Sequence, residues 1–523
     1  MGRPKWFTSA IIYQIYPRVY GMTDRQFGTL RDIQRDLPRI KSLGVNTLYL
    51  LPIHPITRKY RKGLSGSPYA IRDYLSVAPE LAETEGNPYA DEATGPHTAT
   101  CRSTATDWST ATDQEEAVLA ERAKRQFREL VDEAHANGLR VLLDFVGNHC
   151  APDNILLDPA NPPEKGGYHP EWFLWDDDSR PIPPSSDWWD TADLNYGIPV
   201  EGKPNARRLV YDNDENRRAM WAFMAGVLEY WVREFDIDGY RCDFAHWVPL
   251  DFWREAIPRV KAIKAEVVFI AEAYERMADL LSAGFDGIYA FELYNQLKSL
   301  HEDVRHNDPY YEVQYIRNKI EWERGAYLPG HRMIRYTENH DEPRTVVTYG
   351  GVERSKPPVL LALTLPGVPM VYAGQENGAA FRPPLFEGNF EANFRPIDFS
   401  ANRTLASWYR HVLAIRSAKA FLHGDEIRFI AVSSRKATAF LRRKGDAMAI
   451  VVINFNAESP GERLEFEVPP EVMEACAAGG GQLIDLLEEG PPIRLDPYPA
   501  QNRRVALFLK PLQSLILEVR EER

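Results

Sequence analysis

Between residues 10 and 376 the chain contains eight short, continuously apolar runs with helix-period segments between them. They read AIIYQIYP (10–17), VNTLYLLPI (45–53), LRVLLDFVGNH (139–149), FDIDGYRCDF (235–244), AEVVFIAEAY (265–274), FDGIYAF (285–291), HRMIRYTENHD (331–341) and GVPMVYAGQE (367–376). A strand with no polar face is covered on both sides, which is the condition of a parallel sheet under helices. Eight such units favour a closed (β/α)8 barrel over an open doubly wound sheet. The open sheet would need a glycine fingerprint after its first strand, where this chain has YPRVYG. The helical segments carry stop signals: LRDIQRDLPRIKSLG (30–44) ends on Gly44, and the run over 115–138 ends on Gly138. Two connections, about 54–114 and 150–213, are too long for simple barrel loops and predict function or a subdomain. After 425 the pattern changes to alternating strands split by turn residues, which predicts an antiparallel β domain.

In a barrel of this kind the site forms where the strands end and the following loops begin. The polar residues there are Asp144, Asn148 and His149 on the third run, Arg241, Asp243 and His246 on the fourth, Glu272 on the fifth, and Asn339, His340 and Asp341 on the seventh. Three acids from three strands, Asp243, Glu272 and Asp341, therefore meet at one rim. Gathering carboxylates is costly unless charge or hydrogen bonds compensate. Glycosyl transfer needs such a pair: one carboxylate attacks or stabilises the anomeric carbon, and one carboxylic acid protonates the leaving oxygen. Arg241 lies two residues before Asp243. Strand alternation puts both on one face, so the cation is positioned to hold Asp243 ionised.

The motifs DFVGNH (144–149), GYRCDFAH (239–246), the Glu of FIAEAY, and ENHD (338–341) occur in that order, with ADLN (192–195) inside the second long connection. In order and spacing they resemble glycoside hydrolase family 13, the α-amylase family, over about residues 11–420. That resemblance implies a barrel formed by 1–149 and 214–420, an inserted domain B at 150–213, and a C-terminal β-sandwich domain at 421–523. It implies Asp243 as nucleophile, Glu272 as general acid/base and Asp341 as transition-state stabiliser. It also implies sugar contacts from His149, Arg241 and His340, a stacking platform at Tyr69 with Asp73 in support, and a further contact at Arg344. The implied activity is retaining hydrolysis of α-1,4 bonds in malto-oligosaccharides or starch-type glucans. Transglycosylation at the same site and a non-catalytic binding barrel are the alternatives. No cofactor is required for that chemistry. A structural calcium is possible, because Asn148 matches a ligand of many family members, although Asn195 stands where those members often carry Asp.

Several residues also admit plainer readings. Asp144 is expected to be a structural strand-end acid, and RKYRKG, from Arg58, a solvated loop. The aromatic clusters WFLWDD and SDWWD are expected chiefly to form a small core of their own, with sugar platforms as the other reading. Histidines at barrel rims can bind zinc, but the first strand carries no H-x-H to complete a set. A net charge of −13 argues against a nucleic-acid backbone as partner. No apolar stretch is long enough to span a bilayer, so no membrane partner is expected. Four cysteines without CxxC spacing fit a reducing cytoplasm.

Overall fold

The computed structural model describes residues 4–23, 27–62, 66–84, 113–176, 180–208, 214–305, 313–327, 330–383, 395–477, 481–495 and 504–521. All eight apolar runs form strands: β1 Ile12–Ile15, β2 Thr47–Leu50, β3 Arg140–Phe145, β4 Gly239–Cys242, β5 Val268–Ala271, β6 Gly287–Tyr289, β7 Arg332–Arg335 and β8 Val368–Tyr372. They pair in parallel, each with the next, and β8 returns to β1, so the sheet closes into a barrel. The strands are shorter than the apolar runs because each run continues past its last ladder bond into the loop that carries the chemistry.

Closure creates two apolar environments. Inside the barrel Tyr49, Leu51, Leu142, Val268, Ile270, Tyr289, Ile334, Val368 and Met370 form one cluster. The alternate residues, among them Leu48, Leu50, Val141, Leu143 and Phe269, join the helices in a larger outer core. This inside–outside alternation has period two, so residues 144, 241 and 243 inherit the inward direction of Leu142. At Gly239 the barrel leaves no room for a side chain: a Cβ would stand 2.4 Å from the carbonyl oxygen of Val268 on β5.

The helix Leu30–Ser42 begins with a capping box, in which Thr29 and Asp32 satisfy each other's backbone N–H groups. It runs out at Gly44, whose φ of +94° is left-handed backbone that favours glycine. Between β3 and the helix Asp214–Phe235 the chain forms an insertion of short 3-10 turns, held by a two-stranded ribbon of His149–Cys150 against Ala192–Asp193. Part of the first long connection lies outside the described residues. Beyond the helix Arg403–Ala418, a six-stranded sheet and a two-stranded sheet enclose their own core, which includes Ala439, Ile450, Val452, Leu464 and Phe466. This is the expected antiparallel C-terminal unit. No described helix is long and apolar enough to cross a membrane.

Candidate active site

Arg241 lies one residue before the end of β4, inside the barrel, and is almost fully buried. Its cross-strand neighbour on β3 is Asp144. Nη1 donates to Asp144 Oδ1 at 2.9 Å and to Asp243 Oδ1 at 2.8 Å. Nη2 lies 2.8 Å from Glu272 Oε2. One guanidinium thus bridges three carboxylates from three adjacent strands, all buried. The remaining oxygens are unequal in their partners. Asp144 Oδ2 accepts from the Tyr49 hydroxyl at 2.6 Å and the Tyr69 hydroxyl at 3.0 Å, so this acid is consumed by positioning work, as a structural reading expects. Glu272 Oε1 accepts from the Tyr274 hydroxyl at 2.9 Å, and Oε2 from the Phe244 N–H at 3.0 Å. Asp243 Oδ2 is buried and, among the described residues, accepts no hydrogen bond.

Phe244 pays for its bond to Glu272 in backbone conformation. At φ +39° and ψ 46° it is left-handed, which is strained for an aromatic residue. That twist turns its N–H toward the β5 acid immediately after Asp243.

Asp341 follows β7 in a turn held by Asn339, whose Oδ1 accepts from the N–H groups of Asp341 and Glu342. Its Oδ2 lies 3.1 Å from His340 Nε2. His340 bonds Gln14 through Nδ1 at 2.9 Å and the Tyr69 hydroxyl through Nε2 at 2.5 Å, and its ring stacks on Tyr69 at 5.6 Å. Tyr69 is therefore both a ring facing the cavity and a hydrogen-bonded tie between Asp144 and His340.

Burial dominates the titration of this cluster. It pushes Asp243 well above the carboxylate range, opposed by Arg241 and reinforced by Glu272 and Asp144. It pushes Asp341 up to about 7, helped by Glu272. Burial also lowers His340, with Arg241 adding to the effect. His149 is lowered to about 3 by burial and then by Lys203 and Lys62. Both imidazoles are therefore neutral near pH 7 and able to hydrogen-bond a hydroxyl without carrying charge.

These groups line a cavity of about 180 Å³ together with Lys62, Ser67, Trp188, Asp190, Thr191, Phe244 and Tyr274. Asp243, Glu272, Asp341, Tyr69, His149 and His340 all reach it, with Arg241 directly behind. Arg344 does not. Its guanidinium lies buried against Glu338 at 2.6 Å and donates to the carbonyls of Ala373 and Phe381, so the expected sugar contact is corrected to a brace between the β7 and β8 loops. Asp73 is likewise buried away from the cavity, accepting the Leu75 N–H. Lys62 contradicts the solvated-loop reading, being 7% exposed and paired with Asp190. The aromatic clusters divide: Trp172 is core, stacked on His169, whereas Trp188 faces the cavity and packs on Phe244 and Trp247. Tyr274 was legible by alternation, two residues beyond Glu272; Trp188 was legible only as one of the SDWWD aromatics, and Lys62 had no local signal.

The calcium expectation meets a poor donor set. Asn148 Oδ1 is buried and has no hydrogen-bond donor among the described residues, as a ligand awaiting a cation would be. Asp193 beside it is already spent: Oδ1 lies 2.6 Å from the fully buried Lys203 ammonium, and Oδ2 accepts from Asn205 at 3.0 Å. Asn195 Oδ1 accepts from the Gly197 N–H. Among the described residues no group of three or more His, Cys, Asp or Glu side chains could hold a metal ion. Lys203 supplies the positive charge here, and calcium does not fit.

Residues 123–408 match the family described as "Alpha amylase, catalytic domain". The α-1,4-glucan:maltose-1-phosphate maltosyltransferase of Rhodospirillum rubrum is 26% identical over 463 residues, 85% of this chain and 56% of that protein. The α-amylase MalA of Haloarcula japonica is 25% identical over 465 residues, 87% of this chain and 56% of that protein. The chain thus spans little more than half the length of these two relatives. Among solved structures, the maltogenic α-amylase AmyB of Thermotoga neapolitana shares the fold at a TM-score of 0.72 and 24% identity, covering 98% of each chain.

Two outcomes are expected. A carboxyl at about 7 in the native state, against about 3.9 unfolded, adds stability that is complete below the unfolded value and lost as pH rises through about 7. Asp341→Asn should therefore melt about 1–3 °C above wild type near pH 8 and level with it near pH 4; an offset that ignores pH would refute the assignment. Lys203→Met leaves the Asp193 carboxylate buried without its partner, a loss of about 3–5 kcal/mol. A chelator should leave the wild-type melting temperature within about 1 °C; a larger drop would mean that a metal does bind.

Proposed function

The chain belongs to the α-amylase family, and from that premise we propose that it is a retaining α-glucan-active enzyme hydrolysing α-1,4-glucosidic bonds of malto-oligosaccharides and starch-type glucans. The observation that carries this reading is the Arg241 clamp, which binds one oxygen of Asp243 and one of Glu272 and leaves Asp243 Oδ2 unengaged. A single guanidinium spanning both groups favours the separation of about 5–5.5 Å used in double displacement over the 6.5–9.5 Å that accommodates a water between acid and base.

In this mechanism Asp243 Oδ2 attacks the anomeric carbon while Glu272 gives its proton to the departing glycosidic oxygen. The bond to the leaving sugar breaks and a glycosyl ester on Asp243 forms. Water then attacks the anomeric carbon, Glu272 takes its proton, and the Asp243 carboxylate leaves. Arg241 favours the ionised nucleophile against the burial that would protonate it. Asp341 adds negative charge beside the sugar as positive charge develops on the ring. Tyr69, His149 and His340 supply a ring face and neutral hydrogen-bonding groups around the same sugar. A non-catalytic barrel would have no use for three acids around one cavity.

A second reading is transfer to a sugar hydroxyl instead of water at the same glycosyl ester. It is favoured by a relative that is itself a maltosyltransferase. We also propose the division into a barrel (1–149 and 214–420), domain B (150–213) and a C-terminal domain (421–523). A reducing, cytoplasmic location is proposed with it, supported by the buried free thiols of Cys150 and Cys242.

Asp243→Asn should lower kcat by at least about 1,000-fold while maltotriose still binds, since only the attacking atom changes; activity above a few per cent would remove Asp243 from the nucleophile role. Proton NMR of a fresh wild-type digest, read before mutarotation, should show the α anomer first. A β anomer first would overturn double displacement.

A further inference from the structure

Lys62 and Asp190 belong to neither the acid cluster nor the tyrosine–histidine wall, yet both line the same cavity. Lys62 follows β2, and Asp190 sits in the insertion after β3. The ammonium stands 3.0 Å from Asp190 Oδ1 and also donates to the Asp187 carbonyl, tying the two loops together across the cavity. Lys62 also approaches the Trp189 ring, 5.7 Å from its centre. Both side chains are almost completely buried, at 8% and 2% exposure. A buried ion pair holds two loops no better than an apolar contact of the same size, because desolvation cancels most of the attraction. Its placement therefore asks for a use beyond stability.

That use is indicated by the other oxygen of Asp190. Oδ2 is buried and, among the described residues, accepts no hydrogen bond. A cavity wall that combines an unengaged carboxylate oxygen with a neighbouring ammonium can accept from one hydroxyl of a sugar ring and donate to the next. The position of Glu272 decides which part of the substrate this wall meets. As the proton donor it must face the glycosidic oxygen on the leaving-group side, and Tyr274 and Phe244 accompany it there. Trp188, two residues before Asp190, packs on His149 at 5.2 Å, one of the groups assigned above to the transferred sugar, which sets the Lys62–Asp190 pair beside that sugar. The cavity, at about 180 Å³, is also below the roughly 300–1,000 Å³ of pockets that take larger ligands.

We propose that Lys62 and Asp190 close the glycone side of the site and bind the hydroxyls of the donor's non-reducing terminal sugar, so that the enzyme reads chain ends and does not cut the interior of a glucan. The proposal rests on the α-glucan reading above and adds the substrate class. In it Asp190 accepts from, and Lys62 donates to, adjacent hydroxyls of the terminal ring. A chain continuing beyond that ring would have to pass through the loop-to-loop tie.

The test compares p-nitrophenyl maltotrioside with the same compound bridged by a 4,6-O-ethylidene group on its non-reducing ring, with all products followed by chromatography. Wild-type enzyme is expected to process the capped substrate with a kcat/KM at least about 100-fold lower than the free one, a floor well inside the about 10⁴–10⁵-fold by which a site built around a substrate hydroxyl rejects an analogue lacking it. Capped and free substrates cleaved within threefold of each other would overturn the proposal and leave the α-glucan reading standing. Failure to cleave either would bring both down. The comparison is decisive in the wild-type protein alone. In a folded Asp190→Asn variant, kcat/KM for the free substrate should fall about tenfold and the capped-to-free ratio should rise, because the discriminating contact is lost. An unchanged ratio in that variant would assign Asp190 a merely structural role and overturn its part in end recognition.

Discussion

Everything at the barrel's rim depends on one cation among acids. Arg241 is buried, and its two terminal nitrogens hold Asp144, Asp243 and Glu272 from three neighbouring strands. Without it, the carboxylates would repel one another in a space that water cannot screen, and the acids would take up protons or turn away. With it, Asp243 and Glu272 are fixed relative to each other by the width of a guanidinium, a rigid planar fork that lysine could not replace. The barrel makes this possible. Arg241 lies directly across the ladder from Asp144, and Gly239, two residues earlier, lets β4 and β5 approach closely enough for Glu272 to reach it.

The same solution recurs on a smaller scale in the insertion and in the loop after β2. Lys203 sits against Asp193 in full burial behind His149, and Lys62 sits against Asp190 at the cavity wall. In each case a long basic side chain carries charge to a place where the backbone has left a carboxylate. Burial first, and then both ammonium groups, keep the His149 ring neutral beside the cavity. The two loops thereby do more than cover the site: their cations add to the burial that keeps a barrel-end histidine neutral.

Much of this could be read from the chain before its fold was known, and the reason lies in the geometry of strands. Arg241 and Asp243 share a face because they are two apart, and the apolar continuity of the eight runs implies burial on both sides. The acids at 243, 272 and 341 each stand just past such a run, so the barrel brings them together with no further information. Where the chain leaves the strand, alternation stops informing. Arg344 lies nine residues beyond the end of β7, at the start of the short helix Thr345–Thr348, and local turning aims it at Glu338 instead of the cavity. Lys62 sits in a run of five residues holding four cations. Its inward direction is determined by a carbonyl 125 residues away. Trp172 and Trp188 occur in clusters of similar composition, and only long-range packing separates a core residue from a cavity wall.

The charge balance of the cavity also bears on the proposed chemistry. Asp144, Asp243, Glu272 and Asp341 surround one guanidinium, and the nearest imidazoles, His149 and His340, are neutral. The acids outnumber the guanidinium, and burial, reinforced by the neighbouring carboxylates, raises Asp243 and Asp341. A fold selected for stability alone would have neutralised such a cluster or opened it to water. The missing partner is positive charge that exists only during reaction. A sugar ring departing from its glycosidic oxygen becomes cationic at the anomeric carbon, next to Asp243 Oδ2 and within the field of Asp341. The free oxygen and the uncompensated acids are then one feature: the site is electrostatically incomplete with a neutral sugar and complete with the transition state, which is where binding must be strongest if it is to accelerate the reaction.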